Sequence, residues 1–195
     1  MRTSAIKRNT KETKISIKLN IDGRGKYSIS TPIGFFTHML EAFSKHGLFD
    51  VRFNAKGDVH VDQHHLIEDC GIVLGKAFRE ALGDMKGVNR AGYFVYPMDD
   101  ALAVVALDIA GRPYLQYDAT FKRRQCGGFD TDVLEDFFYG FSVGAQATVA
   151  IRMPFGRSDH HKIEAIFKAF GKGLKMACSK DKRAIEDIPS TKGTI

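Results

Sequence analysis

The feature that most constrains this chain is a five-residue pattern that occurs twice, His64-His65-Leu66-Ile67-Glu68 and His160-His161-Lys162-Ile163-Glu164. Each copy follows an acidic residue, Asp62 or Asp159, and opens a run with helical apolar spacing. A fold that accepts this sequence must place the same chemistry at two equivalent helix starts, which points to an internal duplication.

The order of predicted elements agrees. Residues Lys14 to Ile21 alternate, with Ile15, Ile17, Leu19 and Ile21 on one face, and Asp22-Gly23 marks the turn after this half-buried strand. From Pro32 to His46, Phe35, Met39 and Phe43 recur at near-helical spacing before a Gly47 stop and a short strand from Asp50 to Ala55. Leu66, Ile67, Val73, Leu74, Ala77, Phe78, Ala81 and Leu82 describe a second helix ending at Gly83. The order then repeats, with strands around 92–96, 102–109 and 114–119, a helix near 131–144, a strand near 148–153 and a helix from about 160 to 178. The expectation is an α+β fold of two pseudo-repeat halves, about 1–90 and 91–195. Each half should be a mostly antiparallel sheet with helices on one face, the two packed as one compact catalytic unit. The tail from Ser179 to Ile195 is polar and reads as irregular.

Helical residues four apart share a face, so His64 with Glu68, and His160 with Glu164, each offer one imidazole and one carboxylate to a single ion. The second histidine of each pair, His65 or His161, is turned by about 100° and points to a different ion. If the motifs face each other, within a chain or across an interface, one ion takes His160, Glu164 and His65, and the other takes His64, Glu68 and His161. A lone HHxxE is as readily a surface or capping pair; two copies at matching helix starts favour metal ligation. Mixed imidazole and carboxylate ligands suit Mn, Fe, Co, Ni or Zn better than Mg or Ca.

Composition excludes several classes. With 44% hydrophobic and 27% charged residues the chain is neither disordered nor collagen-like. Three cysteines, Cys70, Cys126 and Cys178, fit neither a metal knuckle nor a redox pair, and suit a reducing setting. No apolar run approaches the ~20 residues of a membrane span, and the opening residues lack the apolar stretch of a secretory signal, so a cytoplasmic location is expected. The net charge of +6 is dispersed apart from Lys122-Arg123-Arg124 and Lys180 to Arg183, without a helix-turn-helix or finger pattern. A small anionic substrate is the expected partner, rather than nucleic acid or a membrane.

Specific stretches then narrow the reading: TKET at 10, DG at 22, TPIGFFTHML at 31, GDVHVDQHHLIED at 57, NR at 89, PMDDALAVVALDIAGRP at 97, HHKIEAIFKAFGKGLK at 160 and PSTKG at 189. In these the chain resembles the imidazoleglycerol-phosphate dehydratases over nearly its whole length. The resemblance implies a site with two manganese ions, one held by His38, His65, His160 and Glu164, the other by His64, Glu68, His161 and the residue at Asp136. Similar sequences often read EHFF where this chain has Glu135-Asp136-Phe137-Phe138, and Leu-His-Ile where it has Val149-Ala150-Ile151. A carboxylate at 136 still suits a borderline cation. The resemblance also implies a phosphorylated imidazole diol as substrate, with its phosphate at Arg90, Arg112, Lys168, Ser190 and Lys192. Glu12, His38 and His46 are further substrate-binding positions, and the family's members form homo-oligomers of 24 copies.

The implied reaction converts D-erythro-imidazole glycerol phosphate to imidazole acetol phosphate in histidine biosynthesis, through a metal-stabilised imidazolate intermediate. No carbonyl activates the carbon that loses its proton, so the imidazole ring must be the electron sink. Glu12 is the candidate to move the carbon-bound proton, with Glu68 and Glu164 as metal-linked assistants. A dinuclear metallohydrolase would carry an overlapping ligand set but would release phosphate. A metal-storage protein would need the ligands without the phosphate-binding cations.

Overall fold

The computed structural model describes residues 1–195. The first half contributes strands β1 (Thr3–Asn9), β2 (Thr13–Asn20) and β3 (Tyr27–Ser30), helix α1 (Gly34–Gly47), strand β4 (Asp50–Gly57) and helix α2 (His64–Leu82). The second half repeats the order: β5 (Ala91–Met98), β6 (Ala101–Asp108) and β7 (Tyr114–Asp118), then α3 (Val133–Ala145), β10 (Thr148–Phe155) and α4 (Asp159–Cys178). A two-residue hairpin, β8 (Gln125–Cys126) with β9 (Phe129–Asp130), is inserted before α3. The two sheets have the same topology, β1-β2-β4-β3 and β5-β6-β10-β7, with one parallel pairing each, β3 to β4 and β7 to β10. The duplication expected from the motif is thus carried through the whole fold.

Alternation explains why each sheet is covered on one side. In β2, Ile15, Ile17 and Leu19 are buried while Lys14 and Lys18 are exposed; in β6, Ala103, Val105 and Leu107 are buried. The covered faces receive the helices, α2 on β1 and β2, α4 on β5 and β6. Helices of opposite halves then pack on each other, α2 on α3 and α1 on α4, so the four helices lie between two outer sheets. Their shared core is aromatic, with Phe36, Phe78, Phe137, Phe138, Phe141, Phe167 and Phe170 without exposed surface. Phe138 meets Phe137, Phe167 and Phe170 at centroid distances of 5.1 to 5.5 Å.

Glycines set the closest approach between halves. Gly71 and Gly75 of α2 face Gly140 and Gly144 of α3, and a methyl at any of the four would strike the other helix's backbone. The same four-residue spacing on both helices therefore zips α2 to α3 along one seam. Gly47, expected as a left-handed helix stop, acts differently. The left-handed cap is Leu48, at φ 57°, whereas Gly47 lacks a side chain because the ring of Phe49 and the carbonyl of Gly171 occupy that space. Gly83 does take the positive φ of a helix stop.

Three elements lie outside the sequence reading: β1, β3 and the β8–β9 hairpin. Strand boundaries also move, Ile21 falling in the turn and β4 running two residues past Ala55. Asp159 is the first residue of α4 rather than a loop residue, nearly buried, with Ser158 capping the helix by accepting from the His161 N–H. Its carboxylate takes the Lys122 and Arg123 N–H groups, at 3.0 and 2.9 Å. No element follows α4, as expected for the tail, although it folds back so that Lys180 bridges Val88 and Asp187 accepts from the Gly87 N–H.

Candidate functional site

The helix starts arrange the histidines. His38 on α1 and His160 with Glu164 on α4 bring three ligand atoms within 4.8 Å of one another. Helix periodicity makes the His160–Glu164 contact, 3.2 Å, and α1–α4 packing delivers His38 to 3.9 Å from the same Glu164 oxygen. Glu164 is 10% exposed at its side chain, and burial opposes its ionisation; the Lys168 ammonium, 2.8 Å away, and the two histidines outweigh this and keep the carboxyl below its ordinary range. Two imidazoles and a carboxylate converging at one point are a donor set for a borderline divalent cation.

The pseudo-equivalent place on the other side is looser. His64 turns Nδ1 to Asp136 on α3, at 3.0 Å, and Nε2 toward Glu68, at 3.9 Å. The three expected ligands are therefore neighbours, but the imidazole sits between the two carboxylates rather than sharing one focus with them. Asp136 corresponds to His38: each stands on the first helix of its half and meets the HHxxE motif of the other half.

The remaining histidine of each pair points away from the cluster of its neighbour. His65 Nδ1 lies 3.2 Å from Asp58, and that hydrogen bond raises its pKa above the usual histidine value. His161 Nδ1 is held by Asp100, whose carboxyl is kept far below the ordinary range by His161 and then by the Ser158 N–H. In both rings a carboxylate fixes Nδ1, the usual support for a metal-ligating histidine; Nε2 of His161 additionally lies 3.6 Å from the Asp99 carboxylate. Asp58 and Asp100 were missed from sequence because neither has a fixed spacing to the motif, although both lie in the quoted stretches GDVHVDQHHLIED and PMDDALAVVALDIAGRP. Within this chain His65 does not join His38, His160 and Glu164.

Glu12 sits in the turn between β1 and β2, where its carbonyl accepts from the Asp58 N–H at 3.2 Å and its charge contributes to the raised pKa of His65. Glu12, Asp58 and His65 thus form one group. His46, near the end of α1, meets Tyr96 edge-on; burial, then Lys168 and Lys172, lowers its pKa. Lys168 bridges this region to the cluster, placing its ammonium on Glu164 and over the Tyr96 ring.

The remaining expected residues meet at the far end of α4. Arg90, Arg112, Ser190 and Lys192 line an open cavity of about 780 Å³ together with Gly111 and Ile195. Arg112 and Lys192 form no ion pair, so two cationic side chains remain available there. Arg90 is more committed: its guanidinium donates to Asp108 at 2.7 Å and to the Pro189 carbonyl at 2.8 Å, tying the tail to the β5–β6 edge. It does so from a left-handed backbone conformation, φ 69°, which is unusual for a side chain of this size. The Arg90 N–H bonds the Ala177 carbonyl, and Ala177 lies 17 residues beyond His160 on α4. At 1.5 Å per residue Ala177, and the Arg90 backbone bonded to it, lie about 25 Å along α4 from His160. No helix is long and apolar enough to cross a membrane.

Comparison with known proteins shows the family and the fold. Residues 31–174 match the family model described as imidazoleglycerol-phosphate dehydratase. The chain is 55% identical to the imidazoleglycerol-phosphate dehydratase of Koribacter versatilis and 52% identical to that of Caldanaerobacter subterraneus, in both cases over the full length of both chains. Among solved structures, the Pyrococcus furiosus enzyme superposes with a TM-score of 0.84 at 36% identity, covering 97% of this chain and 100% of that one. The Staphylococcus aureus enzyme gives 0.81 at 36% identity, over 92% and 99%. Duplicated motif, duplicated fold and full-length similarity converge: the chain belongs to the imidazoleglycerol-phosphate dehydratase family of hydro-lyases.

Proposed function

We propose that the chain dehydrates D-erythro-imidazole glycerol phosphate to imidazole acetol phosphate, in the cytoplasm, at sites that hold two manganese ions and are completed by neighbouring copies of the chain. The observation that carries the reading is the convergence of His38, His160 and Glu164 at one point, in a chain of this family. His65 would complete that set to four and His161 would complete His64, Glu68 and Asp136. Because His65 and His161 are held by Asp58 and Asp100 rather than by these clusters in their own chain, their Nε2 atoms suit a cluster on another copy, that of His161 by leaving its loose 3.6 Å contact with exposed Asp99. Separation along α4 supports the same conclusion: Ala177, which bonds the Arg90 backbone of the cationic cavity, is about 25 Å along the helix from His160, farther than one small substrate spans. A homo-oligomer, 24 copies by the family resemblance, therefore fits the site better than a monomer.

The ions would supply Lewis acidity that favours the imidazolate form of the substrate ring. The chain's own residues bind and move the rest. Arg112 and Lys192 hold phosphate oxygens by charge-assisted hydrogen bonds, Ser190 adds a hydroxyl, and Arg90 keeps the tail that carries them in place. Lys168, bound to Glu164, maintains that carboxylate as a ligand and contributes positive charge beside His46. Glu12 moves the carbon-bound proton: its turn lies beside outward-facing His65, so the proton-moving group arrives with the histidine that completes a neighbouring cluster.

Phosphorus and proton NMR of the product tests the reading. The dehydratase keeps its phosphate esterified and forms one ketone per turnover. Release of inorganic phosphate without the ketone would instead favour a metallohydrolase at the same ligands.

A further inference from the structure

The turn that carries Glu12 is held by a chain of hydrogen bonds that runs inward from the surface and ends on α2, its last link, Thr13 to Asp69, buried. Asp69, one residue past Glu68, is 6% exposed. Its Oδ2 accepts from Thr13 Oγ1 at 2.6 Å, while Oδ1 faces Arg8, with contacts of 3.0 and 2.8 Å. A carboxylate engaged by a guanidinium only accepts, which fixes the direction of every bond behind it. Thr13 gives its hydroxyl proton to Asp69, so in the 3.1 Å contact between the two hydroxyls it is Thr10 that donates, its proton also within 3.5 Å reach of the Thr13 carbonyl. With its own proton committed to Thr13, Thr10 Oγ1 accepts from two backbone groups, the Glu12 N–H at 3.1 Å and the Thr13 N–H at 2.9 Å. A single relay thus runs from the Glu12 backbone through Thr10 and Thr13 to Asp69.

We propose that Asp69, Thr13 and Thr10 are positioning residues for Glu12, locking the turn so that its carboxylate meets the substrate at a fixed height above α2. The proposal rests on the reading of Glu12 as the proton-moving group. Two features separate it from ordinary turn stabilisation. The anchor is on the helix that also carries His64, His65 and Glu68, so turn and candidate ligands are referenced to one rigid element. Asp58 clamps the turn from the opposite side, its N–H on the Glu12 carbonyl and its carboxylate on His65. Glu12 is therefore fixed at both ends while its side chain, exposed at the turn, makes no hydrogen bond of its own.

Thr13→Val keeps the volume of a residue that is 1% exposed and removes only the hydroxyl. The metal-loaded protein carrying it should lose roughly tenfold to a hundredfold in kcat, as expected when a reacting group drifts by about an ångström. KM and metal content should stay at parental values. Thr13→Ser should restore kcat, and Asp69→Asn should behave like Thr13→Val. Glu12→Gln should abolish turnover, and adding Thr13→Val to it should change nothing further. Parental kcat in Thr13→Val, with Glu12→Gln inactive, would overturn the relay and leave the role of Glu12 standing. Full activity of Glu12→Gln would overturn both. A Thr13→Val protein that loses metal and melting temperature in step with activity would make the threonine part of the scaffold and reject a positioning role.

Discussion

Replacing Gly140 with alanine should push α3 away from α2 and loosen the His64–Asp136 contact. The added methyl would lie 2.5 Å from the Glu68 carbonyl oxygen and 3.1 Å from the Ile72 nitrogen, both backbone atoms that cannot swing aside. Ordinary contact begins at 3.4 Å, so the helices must part by about 0.9 Å in a region packed without slack. Overpacking of this kind costs about 1–3 kcal/mol, and the better helix propensity of alanine returns about 1 kcal/mol. A net loss of up to about 2 kcal/mol lowers the melting temperature of a chain this size by up to about 8 °C. The same displacement stretches the 3.0 Å His64–Asp136 hydrogen bond beyond bonding reach. Melting of metal-free protein and titration with manganese read the two effects separately, and the second cluster should weaken more than the first. Gly34→Ala is the control, since nothing lies within 4 Å of its methyl. A Gly140→Ala protein with parental melting temperature and parental binding of both ions would refute the idea that the glycine seam positions the cluster.

Other substitutions probe separate parts of the account. Asp136→Asn should weaken the second ion by at least about tenfold while sparing the His38 cluster, and Asp136→His should restore it, read by elemental analysis after dialysis. Lys192→Ala should raise KM by roughly tenfold to a hundredfold, the worth of one charge-assisted hydrogen bond, with metal content unchanged; Arg112→Ala should act in the same direction. Asp22 has its carboxyl held below the usual 3.8 by the Arg2 side chain. A lowered folded pKa contributes stability above the unfolded value and loses it as pH falls through the folded one. The urea midpoint of metal-free protein should therefore drop below about pH 4, less steeply in Asp22→Asn.

Periodicity and motif repetition made much of this fold legible, for a physical reason. β2 and β6 alternate because one face meets helices, and the HHxxE copies mark helix starts because their apolar followers must turn inward. Strands without that contrast stayed hidden: β3 is nowhere fully buried, and β1 buries only Ser4, so neither carries a clean apolar alternation. The glycine seam was also missed, although Gly71 with Gly75 and Gly140 with Gly144 share a spacing that signals close helix packing. At the site, ligand types and the His–Glu pairs follow from spacing alone. The crossing of halves does not: His38 meets the second motif and Asp136 the first because α1 packs on α4 and α3 on α2. The supporting acids Asp69 and Asp100 act through contacts distant in sequence, which no local pattern announces, and Asp58 reaches His65, seven residues along the chain, across a loop that has no helical or strand period.

If this chain is a dehydratase, its two histidine clusters hold the catalytic metal. Turnover of D-erythro-imidazole glycerol phosphate by one batch of metal-stripped protein, before and after manganese is titrated back, decides this. No imidazole acetol phosphate should form without metal, and recovery should saturate at two ions per active site with the phosphate ester intact. Full turnover by the stripped protein, or saturation at one ion, would contradict it.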